Sequence, residues 1–465
     1  MSIQTLSMSE VLAMYALSIR LDRVSSLVSK NAKKHFLDTI ACILGGFSSE
    51  STRAVSNYMS NRQYTSESSV LMPSMIKTDA EFAAFINGVS AHALDYDDVS
   101  TAMIGHPSAV VVPTALALGE ALGSSGEEVL TAYIAGVEVC ALLGLSLNPR
   151  DAVNGWHSTS TIGIFGASVA AARLIGLSLN QTVDALGIAG SEASGLRANT
   201  GTMVKSIHVG RAAQKGIFCA KLAECNIHAS KLIFEAPFGI GCAMSNGFCE
   251  KALIDAIETG RSEFTSGTLV SKQWPVCYAA YNAVEAAITI SEKNSIKWEC
   301  IDHVLCRVSQ STRDMLPYDI PSEPLQGKFS LPYCIAAALR WQNISIEDFS
   351  DDRFSSLIGF LPRIKVETDK SLMNSAYLDG RDTTELLIVM KNRDKYFERV
   401  DSPRLSSNLL ERNKIASCTG VDFSSQSLFS LENAVYNIEN ALSLSELLNS
   451  IMACFENIHY QEANL

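Results

Sequence analysis

Helical periodicity dominates the first half of this sequence. Apolar residues recur on one helix face in two early stretches. Their spacing is i, i+1, i+4, i+5 in Val11, Leu12, Tyr15 and Ala16, and i, i+1, i+4, i+8 in Phe36, Leu37, Ile40 and Leu44. The same spacing continues to about residue 265 and predicts an all-α first part. Glycine and alanine are concentrated at 163–172 and 187–195, which predicts helices whose axes approach closely.

The periodicity changes after residue 265. Two alternating stretches predict half-buried strands and two others predict helices, the strands at 303–308 and 384–390 and the helices at 330–339 and 345–358. After Pro403 the helical pattern resumes along one apolar face, formed by Leu431, Ala434, Val435, Ile438 and Leu442. The middle segment therefore resembles an α+β domain between two helical parts.

These patterns predict a mainly α protein with two domains. A chain of 465 residues is longer than one hydrophobic core usually serves. We predict a large all-helical domain, 1–265 together with 404–465, and a smaller α+β lid domain, 266–403.

Composition excludes several classes of function. The net charge of −12, without any basic run, argues against nucleic-acid binding, so an anionic ligand needs a local cationic pocket. The 12 cysteines form no CxxC pair, which favours reduced, buried thiols over a zinc or redox motif. Neither a signal peptide nor an apolar run of about 20 residues is present, so we expect a cytoplasmic protein without membrane contact.

The densest polar cluster lies at 92–98, followed by His106. On a helix, His92, Asp95 and Asp98 would lie near one face at i, i+3 and i+6. The neighbouring glycine and proline of His106 predict a turn before a helix, which Ser108 is expected to cap. Three interpretations remain open: an acid/base site, a metal site and a solvated helix end.

Other candidate residues are separated in sequence. His157 stands alone between a glycine break and a Gly/Ala helix, where a structural role is the commoner one, and Lys205 lies in an apolar, glycine-bounded segment. A buried lysine needs an anionic partner. Proton abstraction next to a carboxylate needs a base and nearby cations, which His106, His157, Lys205 and Lys272 supply by type. For the lysines, an ordinary surface role is the alternative.

Nucleotide and nucleophile motifs are missing from the sequence. It contains no GxxxxGK[ST], no strand-anchored GxGxxG and no GxSxG. We therefore expect no cofactor and a reaction carried out by side chains, such as elimination, isomerisation, decarboxylation or epimerisation.

The motifs resemble those of the MmgE/PrpD family over nearly the whole chain. The family includes 2-methylcitrate dehydratase, cis-aconitate decarboxylase and iminodisuccinate epimerase. The resemblance is carried by five segments: His-Ala-Leu-Asp-Tyr-Asp-Asp at 92–98, His-Pro-Ser at 106–108, Gly-Trp-His at 155–157, Gly-Thr-Met-Val-Lys at 201–205 with the following His-Val-Gly-Arg-Ala-Ala at 208–213, and Lys-Phe-Ser-Leu-Pro-Tyr at 328–333.

This resemblance implies a homodimer in which each subunit has a large helical domain and a smaller α+β lid domain. In the decarboxylase branch, a site that requires no metal draws on positions that align with Asp95, His106, His157, Lys205, Lys272 and Tyr318. The implied substrate is a small anionic carboxylate. His208 and Lys328 are predicted to add substrate contacts.

The leading hypothesis is a lyase resembling 2-methylcitrate dehydratase. Asp95, His106 or His157 would move the proton, the lysines 205 and 272 would hold carboxylates, and Tyr318 would donate a proton from the lid. The alternatives are a cis-aconitate decarboxylase, an iminodisuccinate-type epimerase and a catalytically silent helical scaffold. Three positions differ from relatives: Val99 stands where the decarboxylase has Thr, and Cys277 and Tyr281 stand where relatives have His.

Overall fold

The computed structural model describes residues 6–456, apart from 61–63, 75, 148–149, 374–381, 404–408 and 421–424. The chain divides into two compact units. Unit 1 comprises Met1–Ala198, Met203–Ser271 and Asn408–Leu465, and unit 2 comprises Asn199–Thr202 and Lys272–Ser407. The predicted boundary at 403/404 adjoins residues that lie outside the described part of the chain.

Helices make up most of the described chain, which confirms the predicted fold class, mainly α with a smaller α+β part. In chain order the α-helices are α1 (Met8–Ser18), α2 (Ser26–Gly46), α3 (Glu50–Ser60), α4 (Ala80–Ala93), α5 (Pro107–Leu122), α6 (Gly126–Leu147), α7 (Arg150–Val153), α8 (Ser158–Thr161), α9 (Gly163–Ile175), α10 (Leu179–Glu192), α11 (Val204–Glu224), α12 (Ile240–Ser245), α13 (Glu250–Glu258), α14 (Tyr281–Asn294), α15 (Gln310–Met315), α16 (Pro324–Gly327), α17 (Leu331–Trp341), α18 (Asp351–Ile358), α19 (Leu409–Thr419), α20 (Gln426–Tyr436) and α21 (Ser445–Glu456).

Strands are short in unit 1 and longer in unit 2. They are β1 (Ser68–Ser69), β2 (Lys77–Thr78), β3 (Val99–Ser100), β4 (Leu269–Val270), β5 (Ile301–Val308), β6 (Ile364–Thr368), β7 (Thr384–Met390) and β8 (Lys395–Val400). In unit 1, β1 pairs with β2 and β3 with β4, both antiparallel.

In the residues of unit 2 that the structure describes, the strands form a four-stranded sheet of order β6-β5-β7-β8. β5 runs parallel to β6 and antiparallel to β7, which runs antiparallel to β8. The two predicted strands are confirmed as β5 and β7, and the helix predicted at 330–339 is confirmed as α17. The helix predicted at 345–358 is two elements, because a 3₁₀ turn at Ile346–Phe349, opened by a Ser345 capping box, precedes α18.

Glycines allow close contacts between helices of unit 1. A Cβ on Gly88 of α4 would lie 2.8 Å from the Cα of Gly210 on α11, and a Cβ on Gly210 would lie 2.3 Å from the carbonyl oxygen of Phe85. The predicted close approach of the Gly/Ala segment is confirmed at Gly166 of α9, where a Cβ would lie 2.5 Å from the carbonyl oxygen of Gly136 on α6. Larger side chains at these positions would separate the helix pairs.

The tail helices pack on α2, since α19 and α20 both contact it. One expectation for this region is wrong. The apolar face predicted to reach Leu442 stops earlier, because α20 ends at Tyr436 and the Leu442 side chain is 91% exposed.

Within the described part of the chain, two apolar segments are long enough to cross a membrane by length and composition alone. They are α6 and the stretch 158–175, and 94% and 83% of their most apolar windows are buried inside the protein. They are therefore core helices of unit 1. The cysteines are free thiols, and most of them are buried, as the sequence predicted.

Candidate active site

Unit 1 brings four histidine rings together. The ring centroids of His92 and His106 are 4.7 Å apart, those of His92 and His157 are 5.9 Å apart, and those of His157 and His208 are 5.4 Å apart. These side chains come from the end of α4, the residues before α5 and α8, and the first turns of α11. The structure thus places residues that are distant in sequence in one polar cluster, which we call the histidine cluster.

Lys205 is the cation of this cluster. Its Nζ lies 2.7 Å from Asp95 Oδ1 and 2.6 Å from His92 Nε2. The Lys205 side chain is 13% exposed and that of Asp95 only 4%, so the pair is largely shielded from water. The anionic partner expected for a buried lysine is therefore Asp95.

The chain leaves the helix before Asp95. Helix α4 ends at Ala93, and Asp95 has a φ of 52°, a left-handed conformation that Asp tolerates better than most residues. The expectation that His92, Asp95 and Asp98 share one helix face is therefore wrong. The turn instead aims Asp95 at Lys205.

Asp97 orients His92. The His92 Nδ1 lies 2.7 Å from Asp97 Oδ2, and both side chains are essentially buried. A carboxylate accepts hydrogen bonds, so Nδ1 carries the proton and Nε2 is left to accept from the Lys205 ammonium. The result is a continuous hydrogen-bond chain that runs from Asp97 through His92 and Lys205 to Asp95.

His106 is oriented in the same way by the backbone. It occupies the position before α5, as predicted, and its Nδ1 lies 2.7 Å from the carbonyl oxygen of Asp98 and 3.3 Å from Asp97 Oδ2. Both neighbours are acceptors, so Nδ1 carries the proton. Nε2 is then the basic nitrogen of His106, as a general base requires.

Asp98 anchors the segment from below. Its Oδ2 accepts from the Ser108 hydroxyl at 2.5 Å and lies 3.1 Å from His35 Nδ1, while Ser108 is 2.8 Å from the Tyr133 hydroxyl. Ser108 was expected to cap the helix, which is wrong: α5 begins at Pro107, and no side chain caps it. The Ser108 hydroxyl instead holds Asp98.

His157 and His208 form the other end of the cluster. Their Nδ1 atoms are 3.2 Å apart, so one ring donates to the other. Burial, together with the positive charge of Lys205, holds the pKa of His157 well below its ordinary value. Burial and Lys205 also lower the pKa of His208. His157 is therefore a neutral ring at pH 7.

The segment between Asp98 and His106 is fixed by acidic residues of unit 1. Ser100 donates from its hydroxyl to Glu263 Oε1 at 2.6 Å and accepts from the Met103 N–H at 3.1 Å. The backbone N–H of Glu263 donates in turn to the Glu138 carboxyl at 3.0 Å, and burial raises the pKa of Glu138 to about 7. The Ser100 hydroxyl, which follows the Val99 position in the chain, therefore donates its hydrogen bond to Glu263.

The remaining predicted residues belong to unit 2. Lys272 is 2% exposed, and the buried Lys328 donates to the carbonyl oxygen of Pro275 at 3.0 Å. The Tyr318 hydroxyl donates to the carbonyl oxygen of Thr200 at 2.7 Å, and burial raises its pKa. The substrate contacts predicted for Lys272 and Lys328, and the proton donation predicted for Tyr318, stay predictions.

Cys277 and Tyr281 of unit 2 lie on either side of one 3₁₀ turn. Cys277 precedes a 3₁₀ turn, and the hydroxyl of the buried Tyr281 accepts from the Trp274 N–H and donates to the Trp274 carbonyl oxygen, both at 2.8 Å. Tyr281 thereby fixes the backbone two residues after Lys272.

Three side chains of the cluster have ligand atoms spaced closely enough to hold a metal ion. One nitrogen from each of His92 and His106 and one oxygen from Asp97 all lie within 4.8 Å of one another. The same atoms already form the hydrogen bonds described above, and the Lys205 ammonium lies against the other nitrogen of His92. A metal ion there would replace the N–H hydrogen bonds that both rings make, and it would be repelled by the Lys205 ammonium. This donor set therefore fits a metal poorly.

Sequence reasoning identified His92 and Asp97 as members of the polar segment but assigned neither a catalytic role. Their spacing of five residues does not bring side chains together on a helix. The signal that would have identified them is the helix end at Ala93, since a turn there lets Asp97 fold back on His92.

Comparisons with known proteins place the chain in a family. The MmgE/PrpD N-terminal domain matches residues 10–251, and the MmgE/PrpD C-terminal domain matches residues 274–414. The chain is 26% identical over 355 residues to the cis-aconitate decarboxylase of Homo sapiens, which covers 74% of this chain and 73% of that protein. It is 25% identical over 409 residues to the cis-aconitate decarboxylase of Mus musculus, which covers 85% and 82%. A cis-aconitate decarboxylase of Aspergillus terreus is 28% identical over 288 residues, 58% of this chain and 59% of that protein.

Proposed function

The chain belongs to the MmgE/PrpD family, and from this membership we propose that it is a lyase that moves a proton on a small di- or tricarboxylate. The observation that carries the proposal is Lys205, whose ammonium is held between His92 Nε2 and Asp95. An ammonium fixed in this way and shielded from water is suited to stabilise the charge of a substrate carboxylate.

We propose cis-aconitate decarboxylation as the specific reaction, supported by the names of the relatives. The carboxyl group on the CH₂ carbon leaves as CO₂, and its bonding electrons form a new C=C bond. The former double bond shifts its electrons to the CH carbon, which takes up one proton. One cis-aconitate and one proton thus give one methylenesuccinate and one CO₂.

The histidine cluster supplies what this step needs. The charge that develops on the remaining carboxylates is stabilised by the Lys205 ammonium in a site shielded from water. The proton reaches carbon from His106 Nε2 after that ring has been protonated, because its Nδ1 proton is held by the Asp98 carbonyl. His157, kept neutral, accepts or donates a hydrogen bond without adding a second positive charge.

Dehydration of 2-methylcitrate is the second candidate. Here the proton moves the other way: a neutral histidine removes a proton from carbon, and a proton donor protonates the leaving hydroxide. Both His106 and His157 are suited to the first role, since one presents a basic Nε2 and the other has a lowered pKa. We further propose that the enzyme is a cytoplasmic homodimer that needs neither metal nor cofactor.

The test is a substrate panel with matched variants. The protein is incubated with cis-aconitate, 2-methylcitrate, citrate and iminodisuccinate, and products are followed by proton NMR and CO₂ release. Lys205→Met is expected to lower kcat by at least about 100-fold, equivalent to about 2.7 kcal/mol of barrier. The control is Lys215→Met on the same helix, which breaks an ion pair of 2.8 Å with Glu192 and should leave kcat within about twofold.

Each alternative has its own outcome. Full turnover by Lys205→Met would refute the proposed site. Exchange of carbon-bound hydrogen for deuterium without net product would favour the epimerase. A scaffold would show no thermal shift with any of these acids, although a ligand at about 100 times its Kd should stabilise by about 2.7 kcal/mol. Loss of turnover after exhaustive chelation, restored by a divalent metal, would favour the metal site.

A further inference from the structure

A second buried lysine reaches the segment that carries Asp95 and Asp97. Lys414 on the tail helix α19 donates from Nζ to the carbonyl oxygen of Tyr96 at 2.6 Å. Its ammonium lies 2.7 Å from Asp38 Oδ1 on α2, and 4.5 Å from the centroid of the Tyr96 ring. The side chains of Lys414 and Asp38 are each 4% exposed.

The location of the Tyr96 carbonyl gives this contact its importance. Tyr96 lies between Asp95, which pairs with Lys205, and Asp97, which orients His92. A shift of the peptide between these residues would move both carboxylates at once. Lys414 therefore holds the point of the backbone from which the two ends of the hydrogen-bond chain extend.

The charge of Lys414 is retained in this setting. Burial acts to lower the pKa of its ammonium, but the negative charge of Asp38, the hydrogen bond to it and the neighbouring Cys42 and Cys418 together outweigh that effect, and the pKa lies above its ordinary value. A charged donor forms a stronger bond to a carbonyl than a neutral one. The Tyr96 peptide is thus fixed by a charge-assisted bond.

We propose that Lys414 is a positioning residue of the histidine cluster, which holds the Tyr96 carbonyl so that Asp95 and Asp97 reach Lys205 and His92. The reaction that this serves rests on the proposed function, whereas the geometry of the cluster does not. The tail helix is then part of the machinery of the site, although Lys414 contacts none of its histidines in the described hydrogen-bond network.

The chain contains a matched control for this lysine. Lys33 on α2 is also buried, donates to the carbonyl oxygen of Tyr436 on the tail at 2.8 Å, and pairs with Glu439. It joins α2 to the tail with the same chemistry as Lys414 but makes these two contacts away from the segment 94–98. A purely structural role for Lys414 predicts that the two lysines behave alike.

Two variants separate positioning from stability. Lys414→Met alone leaves Asp38 as an unpaired buried charge and will destabilise the protein. The double variant Asp38→Leu with Lys414→Met removes both charges, and such apolar replacements are often neutral or stabilising. The double variant still lacks the donor to Tyr96, so the proposal requires it to be impaired even when it is as stable as the wild type.

The experiment measures kcat and KM with cis-aconitate and, independently of turnover, the His92 Nδ1 proton by NMR of histidine-labelled protein. We expect the double variant to lose at least about tenfold in kcat with KM within about threefold, since small misplacements of catalytic groups can cost up to about 100-fold. Its His92 Nδ1 proton signal should shift or disappear, while Lys33→Met keeps kcat and the signal.

Wild-type kcat and an unchanged His92 signal in the double variant would overturn the proposal, and so would equal losses in Lys33→Met at matched stability. If the wild type turns over none of the acids, the proposed function fails but the NMR comparison still decides this inference. An unchanged His92 signal in the double variant then rejects it, and a signal changed only in that variant supports it.

Discussion

Replacement of Asp97 by Asn tests the hydrogen-bond chain at its buried end. Asp97 accepts from His92 Nδ1 at 2.7 Å and lies 3.3 Å from His106 Nδ1, so one carboxylate orients two rings. Asparagine keeps the shape but removes the charge. If its NH₂ group faces His92, the ring must carry its proton on Nε2, where it meets the Lys205 ammonium.

The size of the effect follows from these contacts. A charge-assisted hydrogen bond is worth about 1.5–3 kcal/mol and a neutral one about 0.5–1.5, so loss of the charge costs about 1 kcal/mol or more. The donor facing a donor at Lys205 adds about 1–3 kcal/mol, because a buried group loses its partner. A barrier increase of about 2–4 kcal/mol corresponds to a decrease in kcat of about 30- to 1000-fold.

For the proposed decarboxylation of cis-aconitate, the assay follows methylenesuccinate formation and CO₂ release at pH 7, with a thermal unfolding scan to verify that the variant is folded. Asp184→Asn is the control, because Asp184 also accepts from a histidine, His228 Nδ1 at 3.1 Å, but its partner is a surface residue with 83% of its side chain exposed. It should retain kcat within about twofold. A kcat of Asp97→Asn within threefold of the wild type would show that the His92 tautomer is not set by Asp97.

Three further predictions concern packing and pH. Gly88→Ala should lower the free energy of unfolding by about 1–3 kcal/mol and lower kcat, because the added Cβ would lie 2.8 Å from the Cα of Gly210 on α11. Gly359→Ala is the control, since its Cβ would have no neighbour within 4 Å. Equal urea midpoints for the two variants would contradict the prediction. The pKa of His157 is lowered in the folded state, so the free energy of unfolding should fall as pH drops below about 6.5, by at most about 1.4 kcal/mol per pH unit. In His157→Gln the urea midpoint should therefore change less between pH 7.5 and 5.5 than in the wild type. Burial raises the pKa of Glu138 to about 7 in the folded protein, so the carboxylate increasingly destabilises the fold as pH rises from about 4.5 to 7. Glu138→Gln should therefore raise the free energy of unfolding by on the order of 3 kcal/mol at pH 8 and by much less at pH 5. An equal gain at both pH values would refute the raised pKa.

Local patterns predicted the fold class because the periodicity of 3.6 and 2 residues is set by neighbours in sequence. The strands at 303–308 and 384–390 and the helix at 330–339 were identified in this way. The short β6 was not predicted, although its five residues alternate between apolar and polar. Leu442 was misplaced because the pattern continues past the point where α20 ends.

The site was harder to predict because its contacts are long-range. The helical spacing of His92, Asp95 and Asp98 is present in the sequence, yet Asp95 turns away toward Lys205, which is 110 positions later. Residue types identified His106, His157 and Lys205 as candidates for acid/base chemistry and for binding a carboxylate. They could not reveal that Asp97, rather than Asp95, orients His92, because that depends on where α4 ends.

The contact between Lys414 and Tyr96 also sets an order of events during synthesis. The two residues are 318 positions apart, and at roughly 5–20 residues per second the Tyr96 carbonyl waits about 15–60 s for its partner to be made. The early helices can pack during this time, whereas the geometry around Asp95 and Asp97 is completed only afterwards. A growing chain therefore carries the helical scaffold well before it carries a complete histidine cluster.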